Sequence, residues 1–350
     1  MYRLIVFMGF LLLASCQEKP IKEENKFFTD VEITTIYEDT VSIRTLEIMD
    51  GGSLAFAGTD GKFGLYNPAT KVWNTNTLYK DSIAPAFRAT AHTQTDFYML
   101  SIENPALLYK TGDSGRMELV YEEENEKVFY DAMKFWNDKE GIAIGDPTSD
   151  CLSIIITRDG GKSWKKLDCN ELPQIKEGEA AFAASNTNIA TAGNKAWIIT
   201  GGGTSRIYFT PDKGKNWEVF NTPLVKDKAT FGGYSIDFYD KMTGFIIGGD
   251  YTDPENNTGN KAITQDGGKT WTLVADGNEP GYKSCVQFVP NSGGEQLVAS
   301  GFTGIDYSKD SGETWTNLSK EGFYAFRFLN DSTAYAAGKN RIARLDFSKN

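Results

Sequence analysis

Thr157-Arg-Asp159-Gly-Gly161-Lys-Ser163-Trp164 decides the fold, because the chain repeats it. The later copies are Thr210-Pro-Asp212-Lys-Gly214-Lys-Asn216-Trp217, Thr264-Gln-Asp266-Gly-Gly268-Lys-Thr270-Trp271 and Ser308-Lys-Asp310-Ser-Gly312-Glu-Thr314-Trp315. Their starts lie 53, 54 and 44 residues apart, and the internal spacing never changes. The chemistry is that of a hairpin turn. Glycine accepts positive φ without steric cost, the aspartate can accept backbone N–H bonds within the turn, and the tryptophan can cover the edge of a neighbouring sheet.

Two degenerate copies extend the series upstream. Thr111-Gly-Asp113-Ser-Gly115 keeps the turn but has Glu118 in the tryptophan position, and Tyr66 to Trp73 keeps the tryptophan without the aspartate. Before each turn come two strand signals: a short alternating segment (Leu46-x-Ile48, Met133-x-Phe135, Ile236-x-Phe238, Val286-x-Phe288, Phe326-x-Phe328), then a small apolar run ending in glycine. Strand, turn, strand, loop, strand, box turn, strand makes a four-stranded antiparallel unit of roughly 45–50 residues, the make-up of a propeller blade.

The four turns resemble Asp-boxes, or BNR repeats, of the form Ser/Thr-x-Asp-x-Gly-x-Thr-Trp found in sialidases and related propellers. The resemblance implies a β-propeller in which the box is structural and remote from any active site. The spacing is also similar to that of the photosystem II stability and assembly factor family, which implies a protein-binding propeller. The basic patch that contributes to partner binding in photosynthetic members has no counterpart in this acidic chain.

Seven inner strands are expected, near Arg44, Arg88, Asp131, Phe182, Tyr234, Ser284 and Tyr324. The fold class is therefore all-β, a seven-bladed β-propeller. The last unit ends at Leu345-Asp346-Phe347 one strand short, and Val31 to Tyr37 alternates like a strand. We expect that segment to complete the last blade and close the ring, removing an open sheet edge. The alternative is an open or six-bladed array. Blade four, Glu179 to Gly203, fits only with an insertion.

Topology converts sequence position into location. Box turns join strands three and four on one face. The starts of the inner strands and the loops between strands two and three lie on the other, around the mouth of the central channel. Ligand-binding candidates there are Arg44, Arg88, Asp131, Glu179, Tyr234 and Tyr324 at inner-strand starts, with Asp146, Arg206 and Asp250 in the loops. Glu103, Asp150 and Asp253 share those loops. The bland reading is that these carboxylates end strands and seed turns, while the arginines pair with neighbours. The loop from Asp250 to Asn260 suits a hard cation but lacks calcium-loop spacing; neither a metal nor a cofactor is assigned.

Two further readings stay open. A sialidase-type glycoside hydrolase needs three arginines, a tyrosine with a glutamate and an acid/base aspartate. Arg44, Arg88 and Arg206, with Tyr234 or Tyr324, Glu179 and Asp131, offer the types, but the signature Phe/Tyr-Arg-Ile-Pro is reduced to Phe87-Arg88-Ala89-Thr90. A two-carboxylate hydrolase using Asp131 and Asp146 would need a separation of roughly 5–9.5 Å. An oxidoreductase lacks any haem motif, phosphate-binding glycine loop or paired redox cysteines. The leading expectation is a non-catalytic binding or assembly module for a protein or glycan.

The N-terminus has export character. Arg3 precedes an apolar run from Leu4 to Ala14, too short to span a bilayer, which takes roughly 20 residues, and suited to a signal peptide. It ends Leu13-Ala14-Ser15-Cys16, which resembles the bacterial lipobox and implies acylation of Cys16; the alternative is an ordinary signal peptide with an incidental cysteine. The expected division is signal peptide 1–15, lipidated tether 16–30 and propeller 31–350. The protein would sit in the cell envelope as a monomer, its membrane link the lipid alone. A net charge of −11 argues against nucleic acid, which demands a basic surface. Cys151 and Cys169 flank one hairpin close enough to bridge, and an exported protein can keep a disulfide; bridged or free, both stay open. Cys285 reads as a buried apolar residue. His92 is the single histidine, which excludes His-rich metal sites.

Overall fold

The computed structural model describes residues 26–112 and 116–350. The signal peptide, Cys16 and most of the tether lie outside the described residues, as do Asp113 to Gly115 of one degenerate turn. Among the described residues the regular elements are strands, apart from two single-turn 3-10 segments, Asp50–Gly52 and Cys169–Glu171. The strands make seven antiparallel blades in a ring. The inner strands are Thr45–Ile48, Phe87–His92, Tyr130–Asn137, Ile189–Ala192, Phe231–Phe238, Cys285–Phe288 and Ala325–Phe328.

The ring closes as the sequence suggests. Phe28–Ser42 pairs antiparallel with Lys339–Lys349 and forms the outer strand of blade 7. The strand begins at Phe28, before the Val31 boundary, because the Phe28 ring stacks on Phe347 at 4.6 Å and meets Tyr307 of blade 6 at 4.9 Å. That seals the joint with apolar area.

The repeated turns share one hydrogen-bond pattern. Gly161 N–H donates to Thr157 Oγ1 at 2.9 Å, and Ser163 N–H donates to Asp159 Oδ1 at 3.0 Å. The equivalents Gly268 N–H to Thr264 Oγ1 (3.1 Å) and Thr270 N–H to Asp266 Oδ1 (2.9 Å) repeat it. Although burial works against the charge, these bonds hold the Asp159 and Asp266 carboxyls below their ordinary value. The aspartates are consumed within their turns. Each turn also fastens two blades. Gly268 sits at φ +85°, and a Cβ there would lie 2.9 Å from the Trp197 ring of the preceding blade. Only glycine meets both demands. Gly161 makes the same approach to Tyr98 of blade 2, whose hydroxyl donates to Gly160 O at 2.7 Å.

Blade four departs from expectation. Its inner strand is Ile189–Ala192, not a segment at Phe182. Glu179–Ala180 pairs with Gly201–Gly202, which joins the edge of blade 5. The residues between, 181–188, cross the central channel as a plug. Asn186 Oδ1 accepts from Met133 N–H at 2.9 Å, and its Nδ2 donates to Thr90 O at 2.7 Å and Glu47 Oε1 at 3.3 Å. Ser185 Oγ donates to Ser284 O at 2.6 Å, Thr187 Oγ1 to Ser235 Oγ at 2.8 Å, and Arg327 Nη2 to Ser185 O at 3.2 Å. The plug thus bonds to the inner strands of five other blades and, at Ser284, to the residue just before that of the sixth. It runs in this register because inner-strand edges left unpaired around a channel need partners, and short polar side chains supply them.

Cys151 and Cys169 are disulfide-bonded, with Cα atoms 5.5 Å apart. Cys285 is buried and free.

Candidate functional site

The plug turns the channel into a blind pocket of about 550 Å³ on the face opposite the box turns. Its floor is Ala181 to Ala184 of the plug. Around the wall the blades contribute from matching positions. Arg44 and Tyr324 stand immediately before the inner strands of blades 1 and 7, and Phe129 and Tyr282 lie just before those of blades 3 and 6. Asp146, Tyr251 and Phe302 each follow the second strand of their blade.

Three candidates occupy β-bulges. The pairing register slips at Arg88 between Phe87 and Ala89, at Asp131 between Tyr130 and Ala132, and at Tyr234 between Gly233 and Ser235. A bulge inserts an extra residue and re-aims its side chain. Arg88 and Tyr234 are thereby turned into the pocket. Asp131 is turned inward to a fully buried position, and neither carboxylate oxygen finds a hydrogen-bonding partner.

The electrostatics are unusual for an acidic chain. Neither Arg44 nor Arg88 is among the described ion pairs, and the Nε of each is buried without a hydrogen bond. Arg44 instead lies over the Tyr324 ring, 4.1 Å from its centroid, and Arg88 faces Phe129 at 5.9 Å. Burial, followed by the charge of Arg44, lowers the Arg88 pKa, against the pull of Asp131 and Glu103. Burial pushes the Asp131 carboxyl well above its ordinary range; the neighbouring Asp146 charge adds to this and Arg88 opposes it. Burial also raises Asp146 to about 6, in spite of the Ala181 N–H it accepts at 2.9 Å. Among the residues that line the pocket, the two arginines face a single carboxylate, Asp146.

Aromatic rings complete the lining. Phe182 of the plug stacks on Tyr234 with centroids 4.1 Å apart and planes 5° apart, and Tyr282 meets Tyr234 edge-on at 4.9 Å. Tyr251 and Phe302 stand at the rim, 48% and 45% exposed.

The remaining candidates are not brought into the pocket. Glu179 and Arg206 are buried against each other, with Arg206 Nε 3.0 Å from Glu179 Oε1 and an Nη2 contact to Oε2. Tyr208 Oη and Thr200 Oγ1 donate to the same carboxylate, and Arg206 Nη2 reaches Gln174 O. This cluster anchors the start of the plug. Asp250 is held by Lys228 Nζ at 2.5 Å and by Thr252. Glu103, Asp150 and Asp253 are exposed. The three arginines of the sialidase arrangement do not converge, since Arg206 is spent on Glu179. Of the Asp131 and Asp146 pair, only Asp146 lines the pocket.

Sequence reasoning missed the aromatic lining: Phe129, Tyr251, Tyr282 and Phe302. Each occupies a blade position equivalent to a polar candidate, so a search by position, not by polarity, would have found them.

Comparisons with known proteins agree with this architecture. The family model described as sortilin, neurotensin receptor 3, matches residues 152–288. That stretch is less than half of the chain and carries three of the four intact repeat turns. No curated protein matches the sequence significantly. Among solved structures, YCF48 bound to D1 peptide superimposes with TM-score 0.65 at 14% identity, covering 93% of this chain and 98% of that one. The RRP9 WD40 repeats give TM-score 0.61 at 11% identity, over 91% of this chain and 98% of that one. A catalytically inactive virginiamycin B lyase from Staphylococcus aureus with quinupristin gives 0.65 at 11%, over 91% and 99%. At these identities the likeness establishes the propeller fold.

Proposed function

We propose that this chain is an exported, lipid-anchored binding module that presents the blind channel-mouth pocket to a protein partner in the cell envelope and performs no chemistry on it. The observation that carries the reading is the pocket itself: two arginines that enter no ion pair among the described residues, in a wall of aromatic rings, closed below by the plug. Concave, mostly apolar sites with a few convergent polar groups are where ligands bind, and Tyr and Arg are among the residues enriched at the hot spots of protein interfaces. The D1 peptide bound to YCF48 supports a peptide or protein ligand for a propeller of this shape.

Hydrolysis has weaker support. Asp131 is fully buried, so a substrate oxygen cannot reach it, and a single accessible carboxylate does not make a two-carboxylate mechanism. The division into signal peptide 1–15, tether 16–30 and propeller 31–350 belongs to the same reading, with Cys16 as the acylated residue and the domain acting as a monomer.

The test places a photo-crosslinking amino acid at Phe302, on the pocket rim, or at Lys269, on an opposite-face turn, in the full chain in cells. Partner adducts from position 302 alone are the expected result. Equal adducts from both positions, or cleavage of a fluorogenic glycoside panel that is lost on Asp146→Asn, would overturn the proposal. Loss of metabolic palmitate labelling on Cys16→Ser checks the anchor.

A further inference from the structure

Resting on that reading, we infer that the pocket recognises the free C-terminal carboxylate of a peptide whose last side chain is aromatic or large and aliphatic, with Arg44 and Arg88 clamping the carboxylate. The argument begins with what the arginines lack. A guanidinium offers five N–H donors in a rigid fork matched to carboxylate geometry. Removing one from water without a partner costs free energy, and here two are partly buried side by side. Tyr324 covers the face of Arg44, which fixes the plane and leaves the donor edges for a ligand. The chain carries a net charge of −11, yet this concavity is positive, and a low-dielectric wall concentrates such a field on an entering anion.

The choice of a chain end follows from shape. The pocket is blind, closed by Ala181 to Ala184, and Arg44 and Arg88 line it. A terminus can be inserted to that depth. An internal acidic residue would have to carry two main-chain strands past the rim rings Tyr251 and Phe302. The preference for an apolar last residue comes from the lining beside the clamp, the Phe182–Tyr234 stack and Tyr282. An acidic sugar would present a ring of hydroxyls needing acceptors, whereas the arginines only donate and the charged acceptor among the lining residues is Asp146, whose Oδ1 already accepts from Ala181 N–H.

The experiment uses the full-length protein immobilised through a C-terminal tag. Random octapeptides, made once as free acids and once as carboxamides, are passed over it, and retained species are sequenced by mass spectrometry. The expected result is at least tenfold enrichment of free acids, with Phe, Tyr, Trp, Leu or Met last. Arg44→Lys and Arg88→Lys, which keep the charge but lose the fork, should each reduce that enrichment to under threefold while leaving the melting temperature unchanged. If a lysine variant melts early, Arg44→Gln and Arg88→Gln are tested at a temperature where they are folded. Equal retention of acids and amides would overturn the carboxylate inference and leave the binding reading standing. Retention of amides bearing internal Asp or Glu would overturn the chain-end inference. Displacement of retained peptides by sialic or glucuronic acid would overturn the peptide class in favour of a glycan. Retention of neither library would overturn both the inference and the protein-binding reading.

Discussion

Asp146→Asn should stabilise the protein at neutral pH and leave it unchanged in acid. The Asp146 carboxyl titrates near 6 in the folded chain against an ordinary value of 3.8, because it is buried at the pocket wall. An acid with a raised folded pKa binds its proton more tightly in the native state. Stability therefore falls as pH rises from about 4 to about 6, and the penalty is fully present above 6. At 1.36 kcal/mol per pH unit, the penalty at pH 7.5 is at most about 3 kcal/mol, and partial solvation at the pocket wall reduces it to roughly 1–3 kcal/mol. Asparagine keeps an oxygen for the Ala181 N–H and cannot ionise, so it removes the penalty without losing that bond. It also removes a charge that raises the Asp131 pKa. Urea unfolding of both proteins at pH 4.0 and 7.5 measures the effect. A gain of about 1–3 kcal/mol at pH 7.5 with under about 0.5 at pH 4.0 is expected. A loss at pH 7.5, or the same difference at both pH values, would refute the assignment of a half-buried carboxylate whose desolvation outweighs its one hydrogen bond. A residue that costs stability at working pH is what a site selected for binding retains.

Gly268→Ala should cost about 2–4 kcal/mol, by positive φ plus collision with Trp197, whereas Gly277→Ala, at φ +71° in open space, should cost only about 1 kcal/mol; thermal melts compare them. Asn186→Ala removes the bonds to Met133 N–H and Thr90 O and should cost about 2–4 kcal/mol, with faster amide exchange at Met133. Glu179→Ala strands buried Arg206 and should cost about 3–5 kcal/mol, read by urea unfolding. Reducing the Cys151–Cys169 bridge, which closes a segment of sequence separation 18, should cost about 3 kcal/mol, measured with and without reductant.

The ring was legible in the sequence and the plug was not. Box turns carry their signal locally, because Asp, Gly and Trp at fixed spacing serve one hairpin and one neighbouring blade. The closing strand was equally readable from the alternation after Val31, because a blade one strand short demands it. The segment 181–188 has no period of its own. Its Ala, Ser, Asn and Thr residues read as a loop, and their partners are scattered from Glu47 to Arg327. Phe182 looked like an inner-strand residue because it is apolar and preceded by the right spacing. In the fold it stacks on Tyr234 instead. The bulges at Arg88, Asp131 and Tyr234 were invisible for a related reason: a one-residue register slip changes which face a side chain takes without changing the pattern around it.

The irregularity of blade four and the existence of a binding pocket are two views of one structural decision. A seven-bladed ring built only from repeats leaves an open channel whose inner-strand edges are wet and whose mouth has no floor. Lending one blade's entry segment to the axis satisfies those edges and closes the channel, and it requires that the segment be held in register against both solvent and its own small side chains. The buried Glu179–Arg206 pair does this at the segment's start, with Tyr208, Thr200 and Gln174 O sharing the load. Buried ion pairs add little net stability, and in some proteins they select one arrangement over its neighbours. That is why two charged residues expected in the ligand site do not line it: they hold the start of the segment that forms the floor beside Arg44, Arg88 and the aromatic rings.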